Sequence, residues 1–292
     1  VYKPDMLAVA VSHMDYAEIC VGCKNLMSYG MYDLDGKSPD YATRERLFKQ
    51  GTIGADLKPS PLDTSKITEQ VRHSWYEDVT TNLHPSRGDT KPQYGKKDAY
   101  SWVKAPRYDG KVYEVGALAR VAVTYAKSDP KMKELVDGAL KQLKAKPSVL
   151  FSVLGRHLAR ALSAKFIADS LEGWALQLKP GQPAYVEYKI PEESMGMGII
   201  EGSRGALGHW IEIKNKKIAN YQAVVPSTWN MSPMDDNGQH GPIEQALIGT
   251  RVKDEKNPLE IVRIIRSFDP CLACAIHIVT PKGRDLGKFR VV

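Results

Sequence analysis

Cys271, Cys274 and His277 stand at positions i, i+3 and i+6 in the stretch DPCLACAIH (269–277). A second C-x-x-C pair, Cys20 and Cys23, lies near the other end of the chain. A helix opened by Pro270 places Cys271 and Cys274 on one face of its first turn, where unpaired backbone N–H groups and the helix dipole favour thiolates. Thiolates suit soft metals, and such a pair can hold one metal, or two through a shared sulfur. On spacing alone, half of a structural zinc site, a dithiol redox couple and buried inert thiols are all open. The two pairs can also be joined as one four-cysteine zinc site, although the sequence around them is unlike.

Other residues carry chemistry less specifically. Arg204 lies between Gly202 and Gly205, so backbone can approach a ligand closely while a permanently charged guanidinium projects. The same pattern describes a surface arginine in a Gly-rich turn. Ser227 in PSTWN reads as a turn or capping serine, Asp269 as an N-cap, and His277 as a core histidine satisfied by backbone.

The composition bounds these readings. The chain has 292 residues, 42% hydrophobic and 26% charged, a globular balance sufficient for a large core. Its net charge of +7 comes from 41 basic and 34 acidic residues spread along the sequence, so nucleic acid is not expected as a partner. No apolar run reaches the roughly eighteen residues of a membrane span. Four cysteines are too few for a disulfide scaffold. Val1 opens directly onto an apolar run at 6–11 and reads as a cut edge.

Elements that position these residues follow from patterning. Residues 1 to about 60 mix short apolar runs with turn signals and predict short strands. From Asp63, D-T-S-K-I-T-E-Q-V predicts a helix start, and 82–104 a long surface loop. EVGALARVAVTYAK (114–127) predicts a buried helix, and Leu150, Leu154, Leu158, Leu162 and Ile167 predict a longer one within 147–178. Strands are expected at 184–190, across 209–225 with a hairpin tip at 214–217, and in the C-terminal tail. The fold class expected is α+β, a mainly helical core of long packed helices with a small peripheral β-sheet.

DPCLACAIH resembles the C-terminal signature of the large subunit of nickel-iron hydrogenases. YSWVKAPRYDGKVYEVGALARV (100–121), EGSRGALGHWIEI (201–213), YQAVVPSTWN (221–230) and GPIEQALIGT (241–250) each resemble a block of that family, in the family's order. The resemblance implies the C-terminal half of a catalytic subunit of the uptake type, oxidising dihydrogen heterolytically and reversibly. It further implies a nickel-iron centre with carbon monoxide and cyanide ligands, in which Cys271 is a terminal nickel ligand and Cys274 a nickel–iron bridge. Because position 271 is cysteine, the selenocysteine variety is not indicated.

By the same resemblance, Arg204 stands above the open metal position and donates to one cyanide, Ser227 donates to the other, and Asp269 fixes the arginine. His277 and the backbone carbonyl of Ala223 would hold magnesium. The family commonly has proline before the arginine, where this chain has Ser203. EICVGC (18–23) lacks the arginine of the family's N-terminal R-x-C-G-x-C motif, so Cys20 and Cys23 are read as lying outside the active site. Residues 1–277 then form the large-subunit part, and 278–292 a peptide removed between His277 and Ile278 on maturation. The implied partners are an iron-sulfur small subunit, a maturation endopeptidase and a membrane cytochrome b, on the periplasmic side of the cytoplasmic membrane. A zinc/cysteine-cluster structural protein and a metal-free hydrogenase-like subunit of an energy-converting complex are the alternatives, and the intact Cys271, Cys274 and Arg204 weigh against the latter.

Overall fold

A computed structural model describes residues 22–35, 43–183, 185 and 187–271, together with the backbones of Ala275–Val279 and Asp285–Arg290. Five short strands come first: β1 (Leu26–Ser28), β2 (Met31–Asp33), β3 (Arg46–Phe48), β4 (Gly51–Ile53) and β5 (Pro59–Ser60). They form a β1-β4-β5 sheet and a β2-β3 hairpin, all antiparallel, as the turn-rich sequence predicts. The helix expected from Asp63 is a single 3-10 turn, Thr64–Lys66, in which the Asp63 carboxylate accepts from Ser65 N. The chain then enters β6 (Ile67–Gln70), paired with β7 (Ala105–Tyr108). The capping signal was real, but the following Ile67 and Thr68 are β-branched and their backbone groups are satisfied by a partner strand about forty residues on. The connection between β6 and β7 is the long loop expected there, broken by 3-10 turns at Asp78–Thr80 and Pro85–Arg87.

The helical layer begins with α1 (Ala117–Ala126), buried continuously from Ala117 to Thr124, as apolar residues on nearly every face predict. α2 (Pro130–Leu143) starts with Asp129 accepting from Met132 N and Pro130 in the first turn. It buries Met132, Val136 and Leu140, one stripe at i, i+4 and i+8. α3 (Val153–Ala175) follows a 3-10 turn and is capped by Ser152 Oγ accepting from Gly155 N at 3.1 Å. These helices and the β1–β4 strands share the largest core cluster, in which each fully buried Leu or Val contributes about 1.5–3 kcal/mol.

A three-stranded antiparallel meander follows: β8 (Glu193–Gly202), β9 (Gly205–Lys214) and β10 (Lys217–Val224). The expected hairpin tip at 214–217 is present, with Asn215 and Lys216 both at positive φ, as a type I′ turn requires. The strand expected at 184–190 is not formed by its described residues; pairing begins at Glu193 instead, because register is set by the partner strand β9. Trp210 on the inner face joins Tyr29, Ile67, Trp229 and Val224 in a second core. Short helices α4 (Pro226–Asn230) and α5 (Pro242–Leu247) and the amphipathic α6 (Leu259–Ser267) close a third core around Ile264, Ile265 and Phe268. A buried pair, Arg107 Nε to Asp235 Oδ2 at 2.6 Å, pins the 232–239 segment to β7.

The backbones of β11 (Ala275–Val279) and β12 (Asp285–Arg290) pair as an antiparallel hairpin. Strands therefore occupy nearly as much of the described chain as α-helices do, and the architecture is mixed α/β rather than mainly helical. The patterning located α1 and α3, but not α2 or the short helices near the end of the chain. It underestimated the strands because most are three to five residues long, too short to show alternation.

Candidate metal centre

Three segments far apart in sequence meet at one narrow cleft. These are 114–118 at the start of α1, 203–204 at the β8–β9 tip, and 267–269 at the end of α6, with Arg156 and Arg160 of α3 forming the wall. A roomier hollow bordered by 55–57 and 145–151 holds none of the candidate residues.

Each segment is held for an identifiable reason. Gly116 caps α1 at φ +127 with no side-chain cap, so the helix begins with unpaired amide N–H groups at the cleft. Gly205, at φ +130, packs so closely on it that a Cβ there would stand 2.5 Å from Gly116 N. Only two glycines allow the hairpin tip to reach the helix end. On the other side, α6 ends at Ser267 and Asp269 takes φ +54, turning the chain out of the helix.

This corrects the expectation that Pro270 opens a helix. The helix precedes the motif, Cys271 lies in irregular chain, and the strand β11 begins at Ala275. A residue in left-handed conformation before proline ends a helix rather than starting one.

Charge in the cleft is unbalanced. Arg156 binds Glu114 through two bonds, Nε to Oε1 at 2.7 Å and Nη2 to Oε2 at 2.6 Å, and its guanidinium lies 3.8 Å from the Phe268 ring centroid. Arg160 donates to the Ser267 carbonyl at 2.9 Å; burial holds its guanidinium below the usual arginine range, and Asp269 opposes that shift. Arg204 is half-buried and donates from Nε to the Pro270 carbonyl at 3.3 Å. Its Nη groups make no hydrogen bond to any described residue. Three arginines therefore face two carboxylates, Glu114 and Asp269, beside a helix N-terminus, and the cleft is net positive.

Of the sequence-predicted residues, Arg204 and Asp269 line this cleft and Cys271 follows directly on the carbonyl that Arg204 grips. Cys271 is exposed. Ser227 is half-buried on α4, which is tied to the cleft wall through Asn230, whose amide exchanges two bonds with the Val115 backbone at 3.0 and 2.8 Å. Ala223 lies on β10 opposite His209 and is exposed. Cys20, Cys274 and the side chains of His277 and Ile278 lie outside the described residues; the His277 and Ile278 backbones run within β11. Cys23 is buried, donates to the Val112 carbonyl at 3.2 Å, and has its thiol pushed up to about 12, chiefly by burial. Glu114, Arg156 and Arg160 were not singled out from the sequence. The available signal was two arginines four apart, which a solvent-facing stripe would not need, in VLGRHLARAL, otherwise apolar except for His157.

The donor set suits a compact group carrying anionic ligands: a guanidinium whose Nη groups bond no described residue and uncapped helix amides, with the Cys271 thiol next along the chain from the Pro270 carbonyl that Arg204 binds. This is an arginine-walled pocket where a helix start, a hairpin tip and a helix end meet in a mixed α/β fold, two residues before Cys271 in the chain.

The chain belongs to the nickel-dependent hydrogenase family, whose model matches residues 1–277. It is 40% identical to the periplasmic [NiFeSe] hydrogenase large subunit of Desulfomicrobium baculatum, over 95% of this chain and 54% of that protein. It is 39% identical to the uptake hydrogenase large subunit of Bradyrhizobium diazoefficiens, over 100% of this chain and 54% of that one. The fold resembles the solved Ni-Fe-Se hydrogenase of Desulfovibrio vulgaris Hildenborough, with a TM-score of 0.81 and 37% identity over 93% of this chain and 56% of that one. The chain thus spans about half the length of the curated relatives it matches, and it corresponds to their large subunits.

Proposed function

We propose that this chain supplies one half of a nickel-iron active site that oxidises dihydrogen reversibly, as part of a hydrogenase large subunit. The observation that carries the reading is the Arg204 Nε bond to the Pro270 carbonyl, which ties the arginine tip to the peptide immediately before Cys271. Cys271 and Cys274 would hold the metals, with cysteines from beyond this chain completing the set. A nickel-iron centre held there would supply redox-active Lewis-acid chemistry toward dihydrogen. Arg204, whose Nε is committed and whose Nη groups bond no described residue, would present a fixed positive charge to the metal site and donate to a cyanide ligand, with carbon monoxide as a further ligand of the centre. Ser227 would donate to a second cyanide, and Asp269, beside Arg160 and Arg204, would hold the guanidinium in place. His277 and the Ala223 carbonyl would hold magnesium.

Electrons would leave to an iron-sulfur small subunit, since the sequence has only two C-x-x-C pairs and no spacing of a cluster-binding cysteine array. One relative is named a quinone-reactive hydrogenase large chain and another is periplasmic, which supports a periplasmic location and electron delivery through a membrane cytochrome b. Among the described residues no helix is long and apolar enough to cross a membrane. The family match ends at residue 277, which supports removal of 278–292 by a maturation endopeptidase between His277 and Ile278.

The test uses the full-length large subunit assembled with its small subunit. Nickel and iron, with infrared bands of carbon monoxide and cyanide and a mature subunit ending at His277, support the reading. One zinc per chain, or an active subunit ending at Val292, overturns it. Arg204→Lys should keep the metals and lower the H2-oxidation rate at least about 100-fold, the scale of a preorganised electrostatic donor.

A further inference from the structure

The two tips of the β8–β9–β10 meander differ. Between β9 and β10, Asn215 and Lys216 have φ of 53° and 59°, the turn that matches strand twist unaided. Between β8 and β9, Gly202 pairs with Gly205, leaving a two-residue tip of Ser203 and Arg204. Neither of these residues has positive φ, so the tip is not a primed turn and does not match the twist of its strands by itself. Something outside the hairpin must hold it.

Arg120, one turn into α1, occupies that place. Its Nη1 donates to the Gly202 carbonyl and its Nη2 to the Ser203 carbonyl, both at 2.9 Å. Nε donates to Ser163 Oγ of α3 at 3.2 Å, and Nη1 lies 3.4 Å from Glu201 Oε2. The other oxygen of Glu201 accepts from Tyr29 N at 2.8 Å. Arg120 and Glu201 are both buried, 5% and 1% exposed. A planar fork spanning two successive carbonyls is a geometry a lysine ammonium cannot copy. An ion pair alone would need neither carbonyl.

We propose that Arg120 is a positioning residue for Arg204, its forked guanidinium gripping the Gly202 and Ser203 carbonyls and so fixing the hairpin tip that presents Arg204 to the cleft. The inference rests on the reading of Arg204 as a working residue. Where binding chemistry depends on a guanidinium held within fractions of an ångström, the two residues before it are where a brace acts most directly.

The test compares Arg120→Lys with Arg107→Lys in the assembled full-length enzyme, by hydrogen–deuterium exchange, infrared spectroscopy and turnover. Arg107 is another buried arginine, whose bonds serve the 232–239 segment. Arg120→Lys is expected to speed exchange of the 203–205 amides at least tenfold, shift the diatomic infrared bands and lower kcat at least tenfold. Arg107→Lys should leave 203–205 exchange within twofold, whatever it does to Tm. Equal effects of the two variants on the tip, or no effect of Arg120→Lys, overturns the proposal. Should Arg120→Lys not fold, Ser163→Ala, which frees only Nε, is expected to speed the same exchange about threefold; unchanged exchange there overturns it too. Turnover lost in Arg204→Lys but kept in Arg120→Lys sinks this inference alone. Turnover kept in Arg204→Lys sinks the reading of Arg204 beneath it.

Discussion

Gly205 approaches Gly116 so closely that a Cβ on Gly205 would stand 2.5 Å from the Gly116 nitrogen and 2.8 Å from its Cα. The contact joins a hairpin tip to the start of a buried helix, and the cleft exists because both sides lack a side chain. Gly205→Ala should therefore lower the unfolding free energy by about 2 kcal/mol or more, combining a positive-φ penalty with a backbone clash. Gly110→Ala is the comparison, since Gly110 has φ +68 with nothing within 4 Å, and should cost about 1 kcal/mol. Equal urea midpoints for the two variants would contradict this account.

The Glu114–Arg156 pair is almost fully buried, both side chains 2% exposed. Arg156→Met leaves a buried carboxylate with its main partner gone, and should destabilise the protein by about 3–5 kcal/mol. Replacing both residues by methionine should recover more than half of that loss, because the desolvation cost disappears with the charge. A double-mutant cycle in urea measures this; additive losses would show that the two residues do not act as a pair.

Cys23 is predicted to be chemically silent in the folded protein. With its thiol pushed from 9.0 to about 12, its thiolate fraction at pH 8 falls roughly a thousandfold. Alkylation followed by mass spectrometry should modify exposed Cys271 in metal-free protein and spare Cys23 until denaturant is added. Rapid native labelling of Cys23 would contradict its burial.

Glu201 gives stability a pH dependence of definite sign. Burial raises its pKa from 4.5 to about 7, and Arg120 at 3.4 Å opposes that only in part. A carboxyl whose pKa is raised on folding contributes stability below about pH 4.5 that is lost as pH rises through 7, on the order of 3 kcal/mol for this group. Glu201→Gln should flatten the decline in unfolding free energy between pH 5 and pH 8. An unchanged slope would assign the decline to other groups.

The sequence by itself determined the family, through five motif blocks, and it determined the parts whose physics is local. The largely apolar α1 requires burial, the leucine spacing of α3 sets a long helix, and the 214–217 tip forms where Asn215 accommodates positive φ. Tertiary structure decided where local and long-range preferences compete. Asp63 caps one turn, yet β7 claims the next residues as a strand. Pro270 follows a helix instead of starting one, because Asp269 turns left-handed at the end of α6. Arg204 was legible as a candidate, but its brace was not. Arg120 reads as one charge in an apolar helix, and only the fold carries it to the carbonyls of Gly202 and Ser203, more than eighty residues away. A buried guanidinium must find acceptors, and which acceptors it finds is a property of packing that no local spacing encodes.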